Sequence, residues 1–140
     1  AIGFEKFPRQ GQPVLERTAL NGHWTLVYVG PGECPDACGR ALHAMRQSRL
    51  AQGKEMGRVE RLWLVTDDRA PEPEVVARHD NPRVARAEAT WLAKLPPLDD
   101  RGAIFLVDPL GNVMMRFPDD PDIKLVIKDL QRLLKYSGLG

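Results

Sequence analysis

The sequence predicts an α/β fold in which helices flank a central mixed sheet, and three observations carry this reading. A β-rich run at residues 24–29 is followed by a helical stretch from 36 to about 52 and by a second β-rich run at 59–66. That order makes a βαβ unit, whose crossover is expected to be right-handed. Two further short apolar runs, Ala103–Val107 and Val113–Phe117, flank the turn Asp108-Pro109-Leu110-Gly111-Asn112 and predict an antiparallel hairpin. Beyond it, Ile123, Val126, Ile127, Leu130, Leu133 and Leu134 recur at helical spacing, and Gly138 closes the predicted helix.

Each element has a local reason. Residues 1–13 hold Gly3, Pro8, Gly11 and Pro13 without sustained periodicity, which predicts an extended arm ahead of a single domain over 14–140. Residues 14–20, before the Asn21-Gly22 turn signal, are expected to form the other arm of an N-terminal β-hairpin with the 24–29 strand. That strand, Trp-Thr-Leu-Val-Tyr-Val, ends at Gly30-Pro31-Gly32. In the following helix Ala37, Ala41, Leu42, Met45 and the stem of Arg49 share one face, Arg40, Arg46 and Gln47 can face water, and Gly53 is the expected stop. The second strand ends at Asp67-Asp68. Residues 69–100 read as a helical insertion. Pro71 and Glu72 start a short helix through 75–79, Asn81-Pro82 breaks it, 85–95 have helical composition, and Pro96-Pro97 with Asp99-Asp100 form a loop. A hairpin, a βαβ unit, a helical insertion, a hairpin and a helix, in that order, match the thioredoxin-like arrangement.

Composition narrows the function. The 140 residues are 43% hydrophobic and 28% charged, which suits one globular core. Twenty basic against nineteen acidic side chains give a formal charge of +1, so no large field points to nucleic acid or an anionic membrane. No apolar run approaches the roughly 20 residues of a membrane helix. The chain opens on Ala1 rather than Met, and an upstream anchor or signal is the expectation that follows.

The two cysteines, Cys34 and Cys38, are the whole thiol inventory, which excludes a disulfide scaffold and a four-cysteine zinc ribbon. They lie in Gly32-Glu33-Cys34-Pro35-Asp36-Ala37-Cys38, where the first core strand gives way to a helix, the end of a strand at which reactive groups gather in open α/β sheets. A helix N-terminus lowers the pKa of a nearby thiol through its free N–H groups and dipole. Cys34 is thus the candidate attacking thiol, and Cys38, a turn further in, the candidate resolving one. Pro35 suits the first helical position, whereas the Glu33 carboxylate opposes a thiolate. A purely structural bridge over so short a loop constrains the unfolded chain little. The same sulfurs could hold copper or zinc if a third ligand arrived. Of the three histidines, His23 is placed at the far end of its strand and His43 on a different helix face from Cys38, which leaves His79 as the remote candidate. Met45, Met114 and Met115 read as core or strand residues.

With those residues in view, the chain resembles the Sco/SenC family, membrane-tethered thioredoxin-fold proteins that help assemble the copper centre of cytochrome c oxidase. The resemblance rests on the 24–29 strand, on Cys34-Pro35-Asp36-Ala37-Cys38, and on Phe105-Leu106-Val107-Asp108-Pro109-Leu110-Gly111 with the strand and helix beyond. It implies that Cys34 and Cys38 exchange disulfides and bind copper. Two departures stand out: Gly39 replaces the family's proline after the second cysteine, and Leu98-Asp99-Asp100-Arg101-Gly102 has no histidine where the family has its third copper ligand. The chemistry expected is therefore thiol–disulfide oxidoreduction by Cys34 and Cys38 on a protein partner, either a cytochrome c oxidase copper-site subunit or another thiol protein. The expected location is the periplasmic side of a bacterial inner membrane, on an anchored full-length protein. A copper-delivery module using both sulfurs and a non-catalytic assembly factor are the alternatives. No cofactor is required, with copper the one candidate.

Overall fold

The computed structural model describes residues 22–86, 103–118 and 120–138. In chain order these form β1 (Trp24–Gly30), α1 (Asp36–Leu50), a 3-10 turn (Gly53–Arg58), β2 (Val59–Val65), α2 (Pro73–Arg78), β3 (Arg83–Arg86), β4 (Ala103–Val107), β5 (Val113–Phe117) and α3 (Ile123–Tyr136). The strands make one five-stranded sheet in the order β3-β2-β1-β4-β5. β1, β2 and β3 run parallel, whereas β4 and β5 return antiparallel, so the sheet is mixed and thioredoxin-like as expected.

β1 is central, and its β-branched and aromatic residues are buried along its whole length. Thr25 pairs with Glu60 on one side and with Val107 on the other. β1 is thus flanked by β2 and β4, and residues 14–20, expected as the other arm of an N-terminal hairpin, lie outside the described residues together with the expected 1–13 arm.

The core lies between the sheet and its helices. Trp24, Leu26, Tyr28, Trp63, Ile104 and Leu106 pack with Cys38, Ala41, Leu42 and Met45 of α1 and with Val126, Leu130 and Leu134 of α3. Trp63 and Tyr28 meet edge to face, with ring centroids 6.3 Å apart. The other sheet face, with Val27, Leu62, Leu64 and Phe105, is equally buried. Each such side chain contributes about 1.5–3 kcal/mol by leaving water. Met45 and Met115 serve this packing while Met114 is exposed, in keeping with a structural role.

Two boundaries differ from expectation. α1 stops at Leu50, and Gly53, with φ +57°, opens the 3-10 turn. More important, Ala85 and Arg86 do not begin a helix, because they belong to β3, where Trp63 pairs with Val84 and Leu64 with Ala85. Pairing with the edge of β2 and burial of Val84 and Ala85 outweigh a helix-favouring composition. The remainder of the expected 85–95 helix, and the loop at 96–100, lie outside the described residues. The late hairpin forms as expected: Asp108 Oδ1 accepts from the N–H of Leu110 at 2.9 Å and of Asn112 at 2.8 Å, and Gly111 takes φ +89°.

Candidate active site

Cys34 and Cys38 are joined by a disulfide, with a Cα–Cα distance of 5.1 Å. The loop that carries Cys34 leaves the carboxyl end of β1 and enters α1 at Asp36. Pro35 occupies the N-cap, one place earlier than expected, in an extended conformation with ψ 175°. Its carbonyl accepts from Gly39 N–H at 3.1 Å, so the first helical turn forms without a side-chain cap. Cys38 points from the core face of α1 and is fully buried. Cys34 is half-buried and packs at the margin of the core. The two sulfurs thus differ in access before any chemistry is considered.

The loop after β2 clamps this position. The Thr66 N–H donates to the Gly30 carbonyl at 3.0 Å, and Asp67 Oδ1 accepts from the N–H of Gly32 at 3.1 Å and of Arg69 at 3.2 Å. Gly32 has no room for a side chain, since a Cβ there would collide with the Arg69 backbone carbonyl. The backbone ahead of Cys34 is therefore fixed by close approach of the two loops. Glu33, expected to oppose a thiolate, lies with Oε2 3.4 Å from Arg69 Nη1. Both groups are exposed, so the pair offsets the Glu33 charge only modestly.

Cys34 separates two clefts. The larger, of about 410 Å³, is bounded by Arg40 and His43 of α1 and by Val75, Arg78 and His79 at α2. The smaller, of about 160 Å³, is lined by Gly32, Glu33, Arg69 and Glu72. His43 lies away from the buried Cys38 face, as expected, and Asp36, Arg40 and His43 recur at helical spacing on the side of α1 that borders Cys34. His79, the remote candidate, borders the same cleft, whereas His23 sits at the opposite end of the seven-residue β1, roughly 20 Å away, with Nε2 3.9 Å from Glu60.

Arg61 of β2 sets the position of His79. Its guanidinium is buried and donates to the carbonyls of His79 at 2.7 Å and Asp80 at 2.6 Å, and Nη2 lies 3.8 Å from Asp80 Oδ2. Asp80 and Asn81 follow in the left-handed region with φ 62° and 51°. Burial lowers the Arg61 pKa from the ordinary arginine value, and the Asp80 carboxylate partly restores it. Burial also lowers His79, with Arg78, His43, Arg46 and Arg61 acting in the same direction, so its imidazole is neutral at neutral pH. The sequence reading missed Arg61, although a charge inside the run Val-Glu-Arg-Leu-Trp-Leu-Val was its available signal.

A copper site would need a third donor beside the two sulfurs. Leu98, Asp99, Asp100, Arg101 and Gly102 include no histidine and lie outside the described residues. Among the described residues, no three histidine, cysteine, aspartate or glutamate side chains are grouped so that they could hold a metal ion. The two sulfurs alone do not make a three-ligand copper site. Among the described residues, no helix is long and apolar enough to cross a membrane.

Comparison with known proteins places this geometry. The family model described as "Transmembrane-like, thioredoxin-like, C-terminal domain" matches residues 24–137. No curated protein matches the chain. Among solved structures, apo Sco1 from Thermus thermophilus is similar with a TM-score of 0.67 at 18% identity, over 94% of this chain and 90% of that one. Copper-bound ScoI from Bradyrhizobium japonicum gives 0.56 at 21% identity, over 81% and 87%. BsSco, described as having a disulfide switch and as a member of the Sco family of cytochrome c oxidase assembly proteins, gives 0.62 at 15% identity, over 96% of each chain. The structural neighbours are thus Sco/SenC proteins, and what the chain shares with them is the fold.

Proposed function

We propose that this chain, which belongs to the transmembrane-like, thioredoxin-like C-terminal domain family, is a thiol–disulfide oxidoreductase acting through Cys34 and Cys38. The observation that carries this reading is the asymmetry of the bonded pair. Cys34 borders two open clefts, while Cys38 is buried directly behind it. A reacting partner reaches Cys34 first, and only the sulfur already bonded to it can resolve the mixed disulfide. The site also sits at the carboxyl end of β1, next to the parallel strand β2, where a ligand has access to both loops.

The partner we assign is a protein thiol in respiratory copper-site assembly, on the periplasmic side of a bacterial inner membrane. The membership of BsSco in a family of cytochrome c oxidase assembly proteins, together with the Cys-Pro-Asp-Ala-Cys motif here, supports this assignment. Copper delivery is the less favoured reading, because the described residues supply no third donor. The proposal is tested by turnover. Reduced protein is expected to accelerate reduction of a small fluorescent disulfide, with reduced glutathione as the electron source, well above the rate in buffer. A rate equal to buffer, from protein shown to be folded and reduced, would remove the oxidoreductase reading.

A further inference from the structure

The two clefts beside Cys34 differ in charge, and that difference specifies a substrate. On the α1/α2 side, the guanidinium groups of Arg40 and Arg78 stand with a single carboxylate, Asp36, and the imidazoles of His43 and His79 line the same cleft. Arg78 has no ion-pair partner among the described residues. Arg40 approaches Asp120 at 3.8 Å, but both side chains are more than half exposed, so that pair is easily exchanged for another carboxylate. On the other side, Glu33 and Glu72 already occupy Arg69, at 3.4 and 3.9 Å. An anionic group approaching Cys34 is therefore repelled from one cleft and has two guanidinium groups available in the other. A volume of about 410 Å³ also suits a short peptide segment.

We propose that the cleft formed by Arg40, His43, Arg78 and His79 is a recognition site for a cysteine carried next to a carboxylate, which it presents to Cys34. This rests on the thiol-exchange reading above and adds the substrate's chemistry to it. In the reducing direction, the Cys34 thiolate attacks one sulfur of the substrate disulfide R–S–S–R′. Cys34–S–S–R forms, and R′S⁻ leaves and takes up a proton. The Cys38 thiolate then attacks the Cys34 sulfur, RS⁻ leaves and is protonated, and the Cys34–Cys38 bond closes. The substrate has gained two electrons and two protons, which the cysteine pair has lost. The reverse sequence oxidises a substrate dithiol.

The test measures trapping rates on the reduced Cys38→Ser protein, which stops at the mixed disulfide. The probes are three peptide disulfides whose cysteine is flanked by glutamate, glutamine or lysine, together with glutathione disulfide. The glutamate peptide is expected to react about tenfold faster than the lysine peptide at low salt, with the gap closing as salt rises. Adding Arg40→Gln and Arg78→Gln is expected to bring the glutamate-to-glutamine rate ratio close to one. Equal rates for all three peptides, or a preference that survives both arginine substitutions, would overturn the proposal. Failure of every probe, the glutamine peptide included, would instead overturn the thiol-exchange reading beneath it. Glutathione disulfide matching the glutamate peptide would support a free small thiol as the source of this chemistry. A lag behind that peptide would support an acidic segment of a protein.

Discussion

Cys38→Ser is expected to trap a stoichiometric mixed disulfide with a thiol-reactive substrate, and Cys34→Ser to trap none while the protein remains folded. The difference follows from access. Cys34 is half-buried at the mouth of both clefts, whereas Cys38 has no exposed surface and packs among Ala41, Leu42 and Met45. A substrate disulfide therefore meets only the Cys34 sulfur, and resolution depends on Cys38 lying one helical turn away, behind the extended Pro35. In the Cys38→Ser protein the first bond forms and nothing breaks it. Intact-mass measurement under native conditions reads the adduct directly, and a parallel sample in denaturant shows that the remaining thiol is chemically competent in both variants. Equal trapping by both folded variants would contradict the assignment of roles.

Arg61→Ala is expected to destabilise the domain by about 2–4 kcal/mol, chiefly through the lost donors to two backbone carbonyls and the space left by a buried side chain. Three losses combine at this position. The carbonyls of His79 and Asp80 lose their donors, the Asp80 carboxylate loses a nearby cation, and the space occupied by a buried arginine empties beside β2. The turn that suffers carries two consecutive non-glycine residues in the left-handed region, so it depends on outside contacts for its shape. A fall of about 2 M in the urea midpoint is the expected reading, with Arg61→Lys intermediate because a single ammonium cannot reproduce the forked contact to both carbonyls. An unchanged midpoint for Arg61→Ala would show that the turn holds itself.

Most of the architecture was legible in the sequence because its elements are locally consistent. The 24–29 and 59–66 runs are apolar and β-branched, and the helix between them buries Ala41, Leu42 and Met45 as its periodicity requires. The turn at Asp108 to Asn112 is set by its own residue chemistry. What escaped was set by tertiary contact. β3 has only four residues, two of them arginine, and becomes a strand because the edge of β2 is available to it. The position of β1 between β2 and β4 is likewise invisible locally. At the site, the motif identified both cysteines and their order along the helix start, while the difference in their burial came from the packing of α1. The basic cleft was not legible, because it is assembled from Arg40 and His43 on one helix and from Arg78 and His79 at the end of another. Only the fold brings those two segments to Cys34.

The central claim is that the Cys34–Cys38 bond is exchangeable in the folded protein, and equilibrium with glutathione tests it most directly. Folded protein incubated anaerobically across a series of glutathione redox ratios, then quenched with an alkylating agent, gives the fraction of reduced pair at each potential. The account predicts a reversible two-electron transition, approached equally from the oxidised and the reduced side, at a potential above about −300 mV. A pair that stays oxidised at every ratio, or that is reduced only when the protein unfolds, would mark the bond as structural and contradict the account.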